Sequence, residues 1–253
     1  MPRERSVCTV LALTAVTAIA LALPARAQVP PGVPAPPRPY KVVPVTLPQP
    51  FGDPGFEAFR KHILDIAGRR DRAALARMVA NTFFWMGEKG DKANKKRPGI
   101  DNLAEVADLD AKDGSGWEAL TQVVGDPTLE RFPDRKGVMC SPAAPALDEK
   151  AAAQLAKDTA TQPGEWGYTI KPGLDTRAAA QPAAPVVETL AGLHLIRLMP
   201  EDAPGVQPTF VRVVTPGGKV GFVPAEFVKT FPESQICYVK DAGGWKIAGV
   251  IGE

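Results

Sequence analysis

The chain has 253 residues, with 30 Lys and Arg against 28 Asp and Glu, and 45% of its residues are hydrophobic. These values lie close to globular averages and exclude a wholly disordered chain and a protein built from many membrane spans. The two histidines, His62 and His194, are too few for the usual histidine-based metal sites, so we expect no metal and no cofactor. Proline is the outlier, with 27 residues, about 11% of the chain against a background of about 5%.

The first 27 residues predict an export signal. Two arginines precede an apolar run over residues 7–23, and Ala25 and Ala27 form the small-x-small pattern of a signal-peptidase site. We expect cleavage between Ala27 and Gln28, contact with the membrane only during export, and a periplasmic or secreted mature protein. Cleavage removes three of 30 basic and one of 28 acidic residues, which leaves a mature chain without net charge. A neutral chain does not favour nucleic acid as a partner.

Residues 28–50 predict a proline-rich linker. Nine of them are proline, none is acidic, and helical periodicity is missing. This composition favours polyproline II conformation, which extends by about 3.1 Å per residue. We therefore expect an extended spacer that precedes the folded part of the chain.

Residues 51–164 predict a mainly helical unit. Helix-capping residues and apolar spacing place helices after Asp53, after Asp71, over residues 102–109, from Ser115 and over residues 148–158. Residues 82–86 have the composition of a strand. Residues 131–145 are rich in turn formers.

From residue 165 onward the pattern changes to short strands separated by glycine and proline turns. We predict strands over residues 167–170, 186–190, 193–199, 209–214, 220–223, 236–239 and 245–250. Many short strands at regular spacing are typical of a small barrel or sandwich. The chain as a whole therefore predicts an α+β fold.

Three motifs in residues 168–228 occur in a characteristic order. They are Gly173-Leu-Asp-Thr-Arg177, then Phe210-Val-Arg-Val213 before a Gly217-Gly218 hairpin, then Gly221-Phe-Val223 before a short turn. This order resembles the bacterial SH3-like (SH3b) family of exported proteins. The resemblance implies a small β-barrel over residues 165–230 that binds cell-wall peptide, glycan or another envelope protein.

The same resemblance implies a ligand-binding role for Arg177, Phe210 and Phe222. The two phenylalanines stand where tryptophan is common in the family. A structural interpretation is also open for each residue: Arg177 forms a salt bridge or a backbone hydrogen bond within the barrel, and both phenylalanines belong to its core.

Residues 231–253 add a β-hairpin after the SH3-like pattern is complete. The hairpin resembles the terminal strands of cystatin-like (NTF2-like) α+β domains, whose opening helices are similar to residues 56–80. Our hypothesis is that the SH3-like unit is an insertion and that the hairpin pairs with the strand at residues 82–86 of the unit 51–164.

The mature chain retains two cysteines, Cys140 and Cys237. In an oxidising compartment a disulfide between them is the economical interpretation. It would connect the helical unit to the terminal hairpin.

Three functional classes remain open. The first is a non-catalytic envelope protein that binds peptidoglycan or another envelope protein, with no catalytic residue. The second is a cell-wall cysteine peptidase or amidase that uses Cys140, which requires a nearby imidazole, although His194 lies in a predicted strand. The third is a structural scaffold that docks a protein partner. The sequence does not determine the oligomeric state.

Overall fold

The computed structural model describes residues 36–200 and 208–252. The predicted signal peptide, the cleavage residues Ala25, Ala27 and Gln28, and the first part of the predicted linker lie outside the described residues. Within the two described ranges, no helix combines the length and apolar character needed to cross a membrane.

The described residues form five α-helices and three β-sheets, which confirms the α+β class. The helices are α1 (Pro54–Gly68), α2 (Arg72–Met78), α3 (Gly99–Val106), α4 (Ser115–Gly125) and α5 (Glu149–Thr159). The strands are β1 (Val45–Thr46), β2 (Val79–Gly87), β3 (Gly90–Asp91), β4 (Glu130–Arg131), β5 (Val138–Ser141), β6 (Ala146–Leu147), β7 (Trp166–Thr169), β8 (Leu174–Arg177), β9 (Val186–Leu190), β10 (Leu195–Leu198), β11 (Phe210–Val214), β12 (Val220–Pro224), β13 (Val228–Thr230), β14 (Gln235–Asp241) and β15 (Gly244–Ile251).

Aspartate caps start three of the helices where the sequence predicts them. The carboxylates of Asp53 and Asp148 each accept hydrogen bonds from two backbone N–H groups in the first turns of α1 and α5, and the Asp71 carboxylate accepts one in the first turn of α2. Helix α3 begins three residues earlier than predicted, at Gly99. A Cβ at this position would lie 2.0 Å from the carbonyl oxygen of Ala80, so only glycine permits this contact.

A six-stranded sheet has the order β3-β2-β15-β14-β5-β4. The terminal hairpin β14–β15 occupies its centre, and β15 pairs in parallel with β2, where Gly249 is the partner of Phe84. The predicted pairing of the hairpin with residues 82–86 is therefore confirmed. Residues 131–145, which are rich in turn formers, also contain the unpredicted strand β5, which lies between β4 and β14 with Val138, Cys140 and Ser141 buried.

Cys140 and Cys237 are direct partners across β5 and β14, and their sulfur atoms are bonded at 2.02 Å. The predicted disulfide is therefore confirmed. On one face of the sheet, α1 places Phe56 against Tyr238 and Trp245, with ring centroids 5.1 Å apart in both pairs. This aromatic cluster belongs to the larger hydrophobic core.

A seven-stranded antiparallel sheet has the order β13-β7-β10-β11-β12-β8-β9. The strands predicted at residues 167–170, 186–190, 209–214 and 220–223 are present within one residue at each end, and β10 is shorter than its predicted range. Strand β8 was not predicted as a strand, although Leu174 and Thr176 alternate with more exposed neighbours. The core of this sheet consists of buried aliphatic residues, Leu174, Leu190, Ile196, Val213 and Val223.

The linker prediction is wrong for residues 36–47, which we call the strap. Val43 and Val45 are 2% and 7% exposed, and Tyr40 contacts Trp166 edge to face with ring centroids 5.1 Å apart. Backbone hydrogen bonds join Leu195 N–H to Val43 and Val45 N–H to the carbonyl of residue 193. The composition suggests a solvated polyproline helix, but the spaced aromatic and aliphatic side chains of the strap provide enough apolar area to bind the folded unit.

The strap also contributes to a buried ion pair. Arg197 is 1% exposed, its guanidinium lies 2.9 Å from the Glu165 carboxylate, and it donates a hydrogen bond to the backbone carbonyl of Pro36. Tyr40 donates from its hydroxyl to the carbonyl of Val214 at 2.9 Å. A buried guanidinium needs such partners because an uncompensated buried charge is strongly destabilising.

Two neighbouring valines test whether the strap belongs to the folded unit. We expect Val43→Asp to lower the free energy of unfolding by about 3 kcal/mol or more, because it places a carboxylate in a buried apolar site. Val42→Asp is the matched control, because Val42 is 41% exposed, and its effect should stay within about 0.5 kcal/mol. Urea unfolding followed by circular dichroism measures both. Equal stability of the two variants would show that residues 36–47 behave as a free linker.

The disulfide closes a loop of 97 residues. Its removal in a Cys140→Ala, Cys237→Ala double variant should lower the free energy of unfolding by about 4 to 5 kcal/mol, because the unfolded chain gains the freedom of the open loop. Reduced wild-type protein should lose a similar amount, and a reductant should leave the double variant unchanged. Wild-type stability that does not respond to a reductant under unfolding conditions would contradict this account.

Candidate functional site

The structure brings the three predicted ligand-binding residues onto neighbouring strands. Phe222 on β12 is the cross-strand partner of Arg177 on one side and of Arg212 on the other. Val213 and Val223 face the core of this sheet, and alternate residues of a strand point to opposite faces, so Phe210, Arg212 and Phe222 share the other face. Both phenylalanines are half-buried.

The guanidinium of Arg177 already has protein partners. It donates a hydrogen bond to the backbone carbonyl of Ala184 at 2.8 Å and lies 3.5 Å from the Asp175 carboxylate. These contacts match the structural interpretation of Arg177. The face that carries Phe210 and Phe222 therefore offers aromatic surface to a ligand. The guanidinium of Arg177 on β8 is already bonded to other groups of the protein.

A larger candidate site lies between the two large sheets, and we call it the inter-sheet cleft. Its volume is about 930 Å³. The side of the six-stranded sheet supplies residues of α4 and of the segments after it, and the other side supplies residues of β7, β11 and β13. The lining includes Gln122, Asp126, Thr128, Pro142, Tyr168, Ile170, Val211, Val228, Lys229 and the connector 231–234 between β13 and β14. Arg177, Phe210 and Phe222 are not part of this lining.

Asp126 is the most firmly positioned charge in the cleft. It ends α4, and one of its carboxylate oxygens accepts hydrogen bonds from the backbone N–H and the hydroxyl of Thr128. The Thr128 hydroxyl in turn accepts a hydrogen bond from the Ala143 backbone at 2.8 Å. The loop is therefore held in place before any ligand arrives, which lowers the ordering cost of binding.

The negative charge of Asp126 affects a tyrosine on the opposite wall. Burial raises the pKa of Tyr168 above its ordinary value, and the Asp126 charge raises it further. The Tyr168 hydroxyl is therefore neutral at physiological pH. A neutral phenol can both donate and accept a hydrogen bond.

A second cavity opens between α3 and α4, and we call it the apolar groove. Its volume is about 330 Å³. The cross-strand pair Ile236 and Val250 lines it on the sheet side, with Leu103 and Val106 on α3 and Leu120 and Val123 on α4. Ser234 lines both the groove and the inter-sheet cleft, so the two cavities border each other.

The residues required by the peptidase interpretation are engaged elsewhere. Cys140 is buried and bonded to Cys237, so it offers no thiolate while the disulfide is intact. His194 is 4% exposed, and its Nδ1 lies 2.9 Å from the backbone oxygen of Leu195. Within the described residues, no cluster of three or more His, Cys, Asp or Glu residues is suited to hold a metal ion.

Sequence patterns do not predict the inter-sheet cleft, because its lining comes from separate segments that lie between residues 47 and 234. Only one local signal pointed toward it. The change from the SH3-like pattern to the terminal hairpin falls at residues 231–234, and a boundary between two folded units is a common place for a ligand site.

Comparisons of this chain with protein-family models, with curated proteins and with solved structures find no match. The interpretation of the two cavities therefore depends on their own geometry and chemistry.

The coupling between Asp126 and Tyr168 can be measured. In an Asp126→Asn variant we expect the pKa of Tyr168 to fall while it stays above the ordinary value, because burial remains. The neutral phenol stabilises the folded state below the ordinary pKa, and this contribution is lost as pH rises through the raised pKa. A site-resolved NMR titration of the tyrosine ring carbons follows the change.

The matched control is Asp175→Asn, because Asp175 lies on β8 outside the inter-sheet cleft. It should leave the pKa of Tyr168 unchanged. A fall of the same size in both variants would mean that the effect comes from the net charge of the protein and not from the geometry of the cleft.

Proposed function

We propose that the protein is a non-catalytic binding protein of the bacterial cell envelope, exported and cleaved after Ala27, that holds its ligand in the inter-sheet cleft. The observation that carries the proposal is the cleft itself. Its volume of about 930 Å³ falls within the usual range of ligand sites, about 300 to 1,000 Å³. Its lining combines polar and charged side chains, among them Asp126 and Lys229, with apolar ones, and polar groups placed in this way fix the orientation of a ligand.

The proposal treats the seven-stranded sheet as an SH3-like barrel. Several local features support this assignment. Gly218 has a φ of +77° in the hairpin between β11 and β12, and a short 3₁₀ turn over Ala225–Phe227 precedes β13. A Cβ at Gly221 would lie 2.3 Å from the methyl carbon of Thr176, so glycine permits the close approach of β12 and β8. The resemblance then implies cell-wall peptide, glycan or an envelope protein as the ligand.

The proposal also treats this SH3-like unit, residues 165–230, as an insertion into the domain that begins at residue 51. The support is topological. Strands β2 to β5 precede the seven-stranded sheet in the chain, and β14 and β15 follow it. These six strands together form the six-stranded sheet. An insertion of this kind creates a cleft between the host and the guest unit.

The disulfide supports the proposed periplasmic or extracellular location. A buried disulfide persists in an oxidising environment such as the periplasm or the extracellular space. This agrees with export, and it leaves the peptidase alternative without its proposed nucleophile. The other alternative is a scaffold that docks a protein partner, and the experiment below distinguishes it from wall binding.

Retention on purified peptidoglycan sacculi tests the proposal. We expect the mature protein to be retained in moderate salt, and Lys229→Glu to weaken retention by roughly tenfold, because it reverses a charge in the cleft lining. Lys229 is exposed on β13, so the change should not affect folding. The control Lys112→Glu makes the same charge change at an exposed residue outside the cleft and should be retained like the wild type.

A third variant separates the two candidate surfaces. Phe222→Ser removes aromatic surface on the face of the seven-stranded sheet and should leave retention unchanged. Loss of retention in Phe222→Ser but not in Lys229→Glu would move the site to that face. Absence of retention together with capture of one cross-linked envelope protein would contradict wall binding and favour the scaffold.

A further inference from the structure

The apolar groove has an unusual combination of walls and floor. Its floor is formed by β14 and β15, and both strands already have a strand partner on each side. Its walls are α3 and α4, whose backbone groups are bonded within the helix along the middle turns, while the end of α3 at Ala107 and Asp108 and the first turn of α4 at Ser115 and Gly116 also belong to the lining. Away from these helix ends, the groove therefore offers apolar side chains and few free backbone donors or acceptors to an occupant.

This property selects the chemistry of the occupant. An extended peptide placed in the groove would leave its own N–H and C=O groups without partners, and each unpaired buried group costs free energy. A hydrocarbon chain has no such groups, and its burial against residues such as Val106, Val123 and Val250 is favourable. The groove fits a hydrocarbon chain better than an extended peptide.

One side of the apolar groove adjoins the inter-sheet cleft. At Ser234 it borders the inter-sheet cleft, and along α4 the groove residue Val123 directly follows the cleft residue Gln122. The cleft lining contains both signs of charge, with Asp126 and Glu233 against Lys229. An apolar compartment thus adjoins a polar compartment of mixed charge.

We infer that the two cavities together bind a single-chain amphiphile, with the hydrocarbon chain in the apolar groove and a zwitterionic head in the inter-sheet cleft. The cationic part of the head faces Asp126 and Glu233, and its anionic part faces Lys229. This inference rests on the proposed function, because it assigns the polar part of the ligand to the same cleft.

Calorimetric titration with alkylphosphocholines, below their micelle concentrations, tests the inference on the mature protein. We expect the affinity to rise on the order of tenfold for every two methylenes between 8 and 12 carbons, because each added methylene is buried in the groove. Phosphocholine without a chain should bind far more weakly.

Two alanines on exposed helix surfaces provide a matched pair of variants. Ala119 on α4 lines the groove, so Ala119→Trp should fill it, lower the affinity for dodecylphosphocholine at least tenfold and abolish the dependence on chain length. Ala58 is exposed on α1 and does not line the groove, so Ala58→Trp should bind like the wild type. Lys229→Glu should lower the affinity and keep the dependence on chain length.

Affinity that does not change with chain length, or equal binding by Ala119→Trp and the wild type, would overturn the inference. These results are distinguishable from a failure of the proposed function. If Ala119→Trp binds like the wild type while Lys229→Glu still loses retention on sacculi, the groove assignment is wrong and the cleft function stands. If the chain-length dependence holds but no variant affects sacculi, wall binding is wrong and the groove assignment stands.

Discussion

The pairing of the terminal hairpin with strands from the first half of the chain is the constraint on which the architecture depends. β14 and β15 fill the centre of the six-stranded sheet between β5 and β2, and the Cys140–Cys237 disulfide fixes one of these pairings covalently. Because the chain must return to this sheet after residue 230, the seven-stranded sheet is held beside it. The inter-sheet cleft is a consequence of that return.

The strap adds a second constraint, from the other end of the described chain. Its apolar side chains join α5 and one face of β7 and β10 in one small core, which includes Val43, Val45, Leu155, Trp166 and Leu195. The buried charge of Arg197 is balanced in part by Glu165 and by a strap carbonyl. The seven-stranded sheet is therefore supported by a segment that its proline content alone would assign to solvent.

Local sequence patterns predict most of the helices and strands, but they do not predict how these elements pack together. Asp53, Asp71 and Asp148 mark helix starts because capping depends on a few adjacent residues. β5 was missed because a four-residue strand between two partners is defined by long-range pairing, not by its own composition. The cleft could not be predicted for the same reason: Asp126, Tyr168 and Lys229 belong to three distant segments. Phe210 and Phe222 are predicted to bind the ligand, but neither residue lines the cleft.

The proposed function requires the ligand to occupy the space between the two sheets. Hydrogen–deuterium exchange of the mature protein, with and without soluble peptidoglycan fragments, tests it most directly because it reports on both candidate surfaces at once. We expect added fragments to slow exchange in residues 122–128 and 228–234, which contain lining residues of the cleft, and to leave β8 and the β11–β12 hairpin unchanged. Slower exchange in residues 174–177 and 217–222, with none in the connector 231–234, would contradict it.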